Sequence, residues 1–167
     1  MKKIFLLVTL LTLIPCLLCS CITNMLILPD PDDLGEAKLF QKEGFQITLT
    51  DAFEEEKSQR GFDAYYVANF CGVCVLKEDF SLKEGFAEES IDEYIKGVIK
   101  NNKHIGVEPQ TKDGLCFYEF SKDGRCIISY SYKGSNAFWI VQFICNQKDK
   151  DTLTDTFFLW AKSVKVA

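Results

Sequence analysis

The sequence holds one histidine, His104, in 167 residues. That scarcity removes most histidine-dependent chemistry at once. A Ser-His-Asp triad would have to use His104. The residue closes the polar stretch Asn101-Asn102-Lys103-His104, which suits a helix end, where a histidine complements the C-terminal dipole. No nucleophile-elbow sequence accompanies it. Zinc could begin from Cys71 and Cys74, but no second Cys-x-x-Cys and no histidine pair follows. Positive charge is short as well. The chain has 19 Lys+Arg against 24 Asp+Glu, a formal net charge of −5. An acidic chain gains nothing from phosphate backbones, so nucleic acid is not an expected partner. A long apolar run is also missing. Ile4 to Leu18 is uncharged, yet it falls short of the roughly 20 residues that a permanent membrane span needs.

What that short run does fit is an export leader. Lys2 and Lys3 supply a positive start, Ile4 to Leu18 the apolar segment, and Pro15 breaks it near its end. Leu18-Cys19-Ser20-Cys21 then reads as a lipobox. It has an aliphatic residue at −3 (Leu18), a small one at −1 (Ser20) and a cysteine to be modified (Cys21), with Cys19 at −2 in place of the usual small residue. Cys19 cannot be the lipid site, because Leu18 would then stand at −1. The expectation is therefore a leader over 1–20, lipid attached at Cys21, a tether over 21–38 and one domain over 39–167. Loss of Lys2 and Lys3 takes the net charge to −7. Anionic lipid heads repel that sign mildly, so lipid on Cys21, not a basic patch, would hold the chain at the outer face of the cell membrane.

Of eight cysteines, Cys16 and Cys19 leave with the leader and Cys21 takes lipid. Cys71, Cys74, Cys116, Cys126 and Cys145 remain. Five is odd, so full pairing within the chain is excluded. Free cysteines also behave as small buried hydrophobes, and mostly reduced core cysteines are expected. Of 14 phenylalanines, all but Phe5 lie beyond the leader, which predicts an aromatic-rich core.

The tether contains the apolar Met25 to Leu28 and then Pro29-Asp30-Pro31-Asp32-Asp33, stiffened by proline and solvated by acids. Asp30, Asp32 and Gly35 match three positions of a calcium loop. Leu34 and Gln41 fall where ligands are required, so no calcium site is expected. Phe45, Ile47 and Leu49 alternate with polar residues as a half-buried strand does. Glu54 to Glu56 reads as a solvated acidic run. Tyr65 to Phe70 and Val73 to Lys77 read as strands, and Glu78 to Glu89 as a polar, irregular loop. Ser90-Ile91-Asp92-Glu93 is a capping box. Ile91, Tyr94, Ile95, Val98 and Ile99 behind it make one apolar helical stripe. Val107 to Thr111, restricted by Pro109 to an edge or bulge, Leu115 to Ser121, Cys126 to Tyr132 and Ala137 to Cys145 predict a run of strands. Lys122-Asp123-Gly124-Arg125 is a hairpin turn. Ala137 to Cys145 is apolar on both faces, which places it centrally in a sheet covered on both sides. A last helix is expected from near Thr152, with Asp155 as its box partner and Leu153, Phe157, Trp160, Ala161 and Val164 buried.

This order of elements resembles the PsbP/Mog-like superfamily (DcrB-like domains), which includes a photosystem extrinsic subunit, a nuclear GTPase-binding protein and many bacterial lipoproteins. Four segments carry the resemblance: Gly44 to Leu49, Ser90 to Tyr94, Asn136 to Phe143 and Trp160 to Val164. The resemblance spans about 39–167. It implies an α+β fold, an antiparallel sheet with helices packed on both faces (an α/β/α sandwich). It carries over no catalytic residues and implies no cofactor.

Cys71-Gly72-Val73-Cys74 is the sharpest remaining motif. Redox chemistry would need the first cysteine at a helix N-terminus, whose dipole lowers its pKa. Val75-Leu76-Lys77-Glu78 instead continues as strand. The expectation is a non-enzymatic envelope module that binds a protein or small molecule. A thiol-disulfide oxidoreductase using Cys71 and Cys74, and a carrier with an apolar pocket between sheet and helix, are the alternatives.

Overall fold

The computed structural model describes residues 34–57 and 61–167. The leader, Leu18, Cys19, Ser20, Cys21 and most of the tether, with Asp30 and Asp32, lie outside the described residues. Ten strands and two helices are present among them. The strands are β1 (Ala37–Lys42), β2 (Phe45–Thr50), β3 (Glu54–Glu55), β4 (Ala64–Val67), β5 (Gly72–Asp79), β6 (Gln110–Lys112), β7 (Leu115–Lys122), β8 (Arg125–Lys133), β9 (Ala137–Asn146) and β10 (Lys165–Val166); the helices are α1 (Ile91–Asn101) and α2 (Lys150–Lys162). A seven-stranded sheet runs in the order β3-β4-β5-β9-β8-β7-β6, and a three-stranded sheet in the order β1-β2-β10. Every pairing is antiparallel. The fold is α+β, as expected.

β9 is the central strand of the larger sheet, and its apolar residues on both faces explain why. Successive side chains on a strand point to opposite sides. Ala137, Trp139, Val141, Phe143 and Cys145 join Leu153, Phe157, Trp160 and Ala161 of α2 in one core, with Phe45, Ile47 and Leu49 of β2. Phe138 and Ile140 join Tyr94, Ile95 and Ile99 of α1 in another. The two helices therefore meet opposite faces of this strand. Each buried aromatic or aliphatic side chain contributes on the order of 1.5–3 kcal/mol relative to exposure.

Two Lys-Asp-Gly turns set the β6–β7–β8 meander. Asp113 and Gly114, like Asp123 and Gly124, both adopt positive φ, the backbone of the hairpin turn whose twist matches the strands it joins. α1 begins with the expected box. Ser90 Oγ accepts from the Glu93 N–H at 3.2 Å, and the Glu93 carboxylate accepts from the Ser90 N–H at 2.8 Å.

Five features differ from the sequence expectation. The folded region starts earlier than 39, because Ala37 already pairs with Thr50 and Leu34 packs on the core. Lys165 and Val166 add a third strand to the resulting small sheet. Glu54 and Glu55 are exposed but form a short edge strand, with Glu55 ion-paired to Lys42. The stretch after Lys77 is not an irregular loop. β5 extends to Asp79, and the rings of Phe80 and Phe86 pack on Phe138 at 5.2 Å each. Finally, α2 starts at Lys150, not near Thr152, because a 3-10 turn over Gln147–Asp149 leads straight into it. There buried Asp149 accepts from Asn146 Nδ2 at 3.0 Å. Thr152 is already inside the helix, and Asp155 lies 3.7 Å from the Lys112 ammonium instead of capping.

Candidate functional site

β4 and β5 are joined by a tight turn in which the Ala68 N–H donates to Cys71 O at 2.9 Å. Cys71 ends this turn and is buried in the α2-side core. Cys74 stands on β5 and belongs to a different cluster, with Tyr65, Ile127 and Ile144. No helix begins at either residue. Burial pushes the Cys74 thiol up to about 12 and the Cys71 thiol well above its usual value. Both thiols are therefore protonated at neutral pH. The structure does not bring the two together as a nucleophile and its resolving partner; it separates them into two apolar environments. A reactive thiolate sits partly exposed, at a helix N-terminus or beside a cation, whereas both of these thiols are buried and no helix starts at either.

A crevice of about 10 Å³ opens between Val67, Ala68, Cys71, Arg125, Ile144 and Cys145. That is space for about one water molecule. Pockets for small molecules run to hundreds of cubic ångströms, so this crevice does not supply the apolar cavity that the carrier reading calls for.

His104 is not the helix-end cation that the sequence led us to expect. α1 ends at Asn101, and Asn102 Nδ2 closes it by donating to Val98 O at 3.0 Å. His104 lies beyond, its ring stacked on Phe120 at 4.0 Å between centroids. Burial, and to a lesser degree the Lys122 ammonium, lower its pKa. It is a neutral, ring-packed side chain.

The sequence reading missed the polar groups beneath α1. Tyr118, Ser129 and Gln142 lie directly opposite one another on β7, β8 and β9. Gln142 Nε2 donates to Ser129 Oγ at 3.3 Å, and both residues hydrogen-bond the Tyr118 hydroxyl. Nearby, Tyr94 of α1 donates its hydroxyl to a Glu78 carboxylate oxygen at 2.9 Å. Burial raises the Glu78 pKa, and the Tyr94 hydrogen bond opposes that rise. Burial likewise pushes Tyr94 and Tyr118 up. One sequence signal pointed here. Ser129 and Ser131 place small polar groups at alternate positions of β8, opposite in sense to Ile128 and Tyr130. Among the described residues no group of three His, Cys, Asp or Glu side chains could hold a metal ion, and no helix is long and apolar enough to cross a membrane.

No protein-family model matches the sequence, and no curated protein matches it. Solved structures do. The cyanobacterial PsbP of Synechocystis sp. PCC 6803, CyanoP, is 11% identical, with a TM-score of 0.55 over 84% of this chain and 98% of that one. A Bacteroides thetaiotaomicron protein is 8% identical, with a TM-score of 0.51 over 80% of this chain and 49% of that one. LpqN of Mycobacterium tuberculosis, involved in cell envelope biogenesis, is 12% identical, with a TM-score of 0.42 over 79% of this chain and 91% of that one. At such low identities the likeness concerns architecture. The two-helix, antiparallel arrangement built around β9 is a PsbP-like fold.

Proposed function

We propose that this chain is a lipid-anchored envelope protein whose PsbP-like domain acts as a non-enzymatic binding or accessory module. The observation that carries the reading is the order of parts along the chain. A short uncharged apolar run ends in Leu18-Cys19-Ser20-Cys21, an acidic proline-bearing tether follows, and the folded domain begins by Ala37. Lipid on Cys21 would hold the domain at the extracytoplasmic face of the cell membrane, and its partner there would be a protein or a small molecule, not nucleic acid. The accessory role is supported by the state of the side chains that chemistry would have to use. Cys71 and Cys74 are protonated and buried apart, and His104 is neutral and stacked. An oxidoreductase would need a thiolate that neither cysteine supplies. A carrier would need a cavity where aromatic side chains now pack.

Metabolic labelling with a palmitate analogue tests the anchor. The wild-type chain should take the label and sediment with membranes. Cys21→Ala should lose the label and leave the membrane fraction while its circular dichroism stays unchanged. Label and membrane attachment that survive Cys21→Ala overturn the reading. An insulin-reduction assay tests the absence of redox activity; turnover lost on Cys71→Ser would show an enzyme instead.

A further inference from the structure

The sequence draws attention to Cys71 and Cys74, but a different thiol stands where a reagent can meet it. Cys71, Cys74, Cys126 and Cys145 are at most 2% exposed, whereas Cys116 on β7 is partly exposed. The sheet register sets Cys116 between two hydroxyl residues. Thr111 on β6 and Ser131 on β8 are its direct cross-strand partners, one on each side. Directly opposed residues share one face of a sheet, with Cβ atoms about 4.5–5.5 Å apart. Thr111 is exposed, and its Oγ1 lies 3.6 Å from Cys116 Sγ, in hydrogen-bond contact. Ser131 is 3% exposed, and its Oγ has no hydrogen-bond partner among the described residues. A buried hydroxyl without a partner costs stability. One hydroxyl is therefore already bonded to the sulfur, and a second, buried beside it, lacks a bond that an added oxygen could supply.

We propose that Cys116 is a modification site for hydroperoxides, oxidised to a sulfenic acid that Thr111 and Ser131 hold. The Cys116 sulfur attacks one peroxide oxygen and the O–O bond breaks. The sulfur keeps that oxygen as S–OH. The other oxygen takes up the thiol proton and leaves as water, or as an alcohol from an organic hydroperoxide. The sulfur is oxidised by two electrons and the peroxide is reduced by the same two. Thr111 donates to the sulfur as its proton departs. The added oxygen extends the Cys116 side chain by one atom and gives Ser131 Oγ the partner it lacks. The acid then persists, because a second thiol normally consumes it and none of the other described thiols stands near. Cys71, Cys126 and Cys145 lie in the α2-side core, while Cys116 packs on the α1-side cluster. Cys74 is on β5, three strands from β7, which is about 14 Å at the usual strand spacing. The inference does not depend on the lipid anchor, since the oxidant is supplied in solution.

The experiment uses the full reduced chain in detergent, treated with hydrogen peroxide under native conditions. Dimedone, which traps sulfenic acids, is present throughout or added at intervals after the peroxide is removed. The protein is then alkylated in denaturant and mapped by peptide mass spectrometry. The expected result is a dimedone adduct on Cys116, with Cys71, Cys74, Cys126 and Cys145 recovered as alkylated thiols. Thr111→Val should slow adduct formation about fivefold, the worth of one hydrogen bond, and Thr111→Ser should restore the rate. Ser131→Ala should shorten the life of the acid, read by delayed trapping, by a similar factor. Its unfolding midpoint should not fall, since it removes a hydroxyl without a partner. An adduct on any of the four buried thiols, or no adduct at all, overturns the proposal. An adduct that forms as fast in Thr111→Val as in wild type overturns it too, as does one that survives as long in Ser131→Ala. If Ser131→Ala does not fold, Thr111→Val on the exposed strand β6 decides the matter.

Discussion

The two faces of β9 are filled in different ways. On the α2 side, Phe143 stacks on Phe157 at 5.1 Å and Tyr130 and Trp160 flank it, with β2 closing the layer behind. On the α1 side, Tyr94 stacks on Phe138 at 4.1 Å, and the same ring carries the hydroxyl that holds Glu78. The first face is a dense aromatic layer that also encloses Cys126 and Cys145, cross-strand neighbours on β8 and β9. The second mixes an apolar stripe with a polar row, Tyr118, Ser129 and Gln142. The difference teaches that the two helices are held by different physics. Packing dominates at α2, with the Tyr132 hydroxyl donating to Ala161 O at 2.8 Å, while α1 depends on packing, one half-buried carboxylate and its cap together.

Substitutions can break that contrast, in order of expected effect. Phe143→Ala should cost the most, about 3–5 kcal/mol, because it empties the centre of the aromatic layer. Ile95→Ala, the buried centre of the α1 stripe, should cost about 2–4 kcal/mol. Urea titration with a constant slope in both variants checks these values. If Ile95→Ala proved costlier than Phe143→Ala, the dense layer would not be the main source of stability.

Tyr94→Phe should cost about 1–2 kcal/mol near neutral pH, since it leaves the Glu78 carboxylate without its donor in a partly buried place. The pH dependence sharpens the point. Glu78 binds its proton more tightly folded than unfolded, because burial raises its pKa. Its contribution to stability is therefore fully present below the ordinary glutamate range and is lost as pH rises through the folded value. Tyr94→Phe removes the hydrogen bond that opposes the rise, so this loss should move to higher pH. Glu78→Gln should flatten it. Unfolding midpoints followed from pH 4 to 8 read all three, and identical profiles for wild type and Glu78→Gln would contradict the assignment. Ser90→Ala should cost about 1 kcal/mol through loss of the cap, and the change should appear as faster amide exchange in the first turn of α1.

Much of this contrast was legible in the sequence because it is carried by local pattern. The capping box at Ser90, the stripe behind it and the two-faced apolar run of β9 each follow from spacing alone. β1 was not legible. Only Phe40 of its six residues is buried, so its alternation is too weak to separate it from a solvated tether. The loop aromatics Phe80 and Phe86 were obscured by charged neighbours, and their positions are set from a distance: Lys133 donates to Ala87 O at 2.7 Å and to Glu89 O at 2.8 Å. The start of α2 was misplaced because the Thr152–Asp155 spacing imitates a cap, while the 3-10 turn before it has no comparable sequence mark. The placement of Cys126 opposite Cys145 needs the β8–β9 register to the residue. A shift of one position sends every side chain of a strand to the other face, and the Gly134-Ser135-Asn136 turn alone leaves that register open.

The central claim is the anchor, and the most direct measurement of it is the mass of the N-terminal peptide of the protein extracted from its membranes. The account predicts a chain that begins at Cys21, with its sulfur in thioether linkage to a diacylglyceryl group. An unmodified Cys21, whether inside a longer chain or in one cut elsewhere, would contradict it.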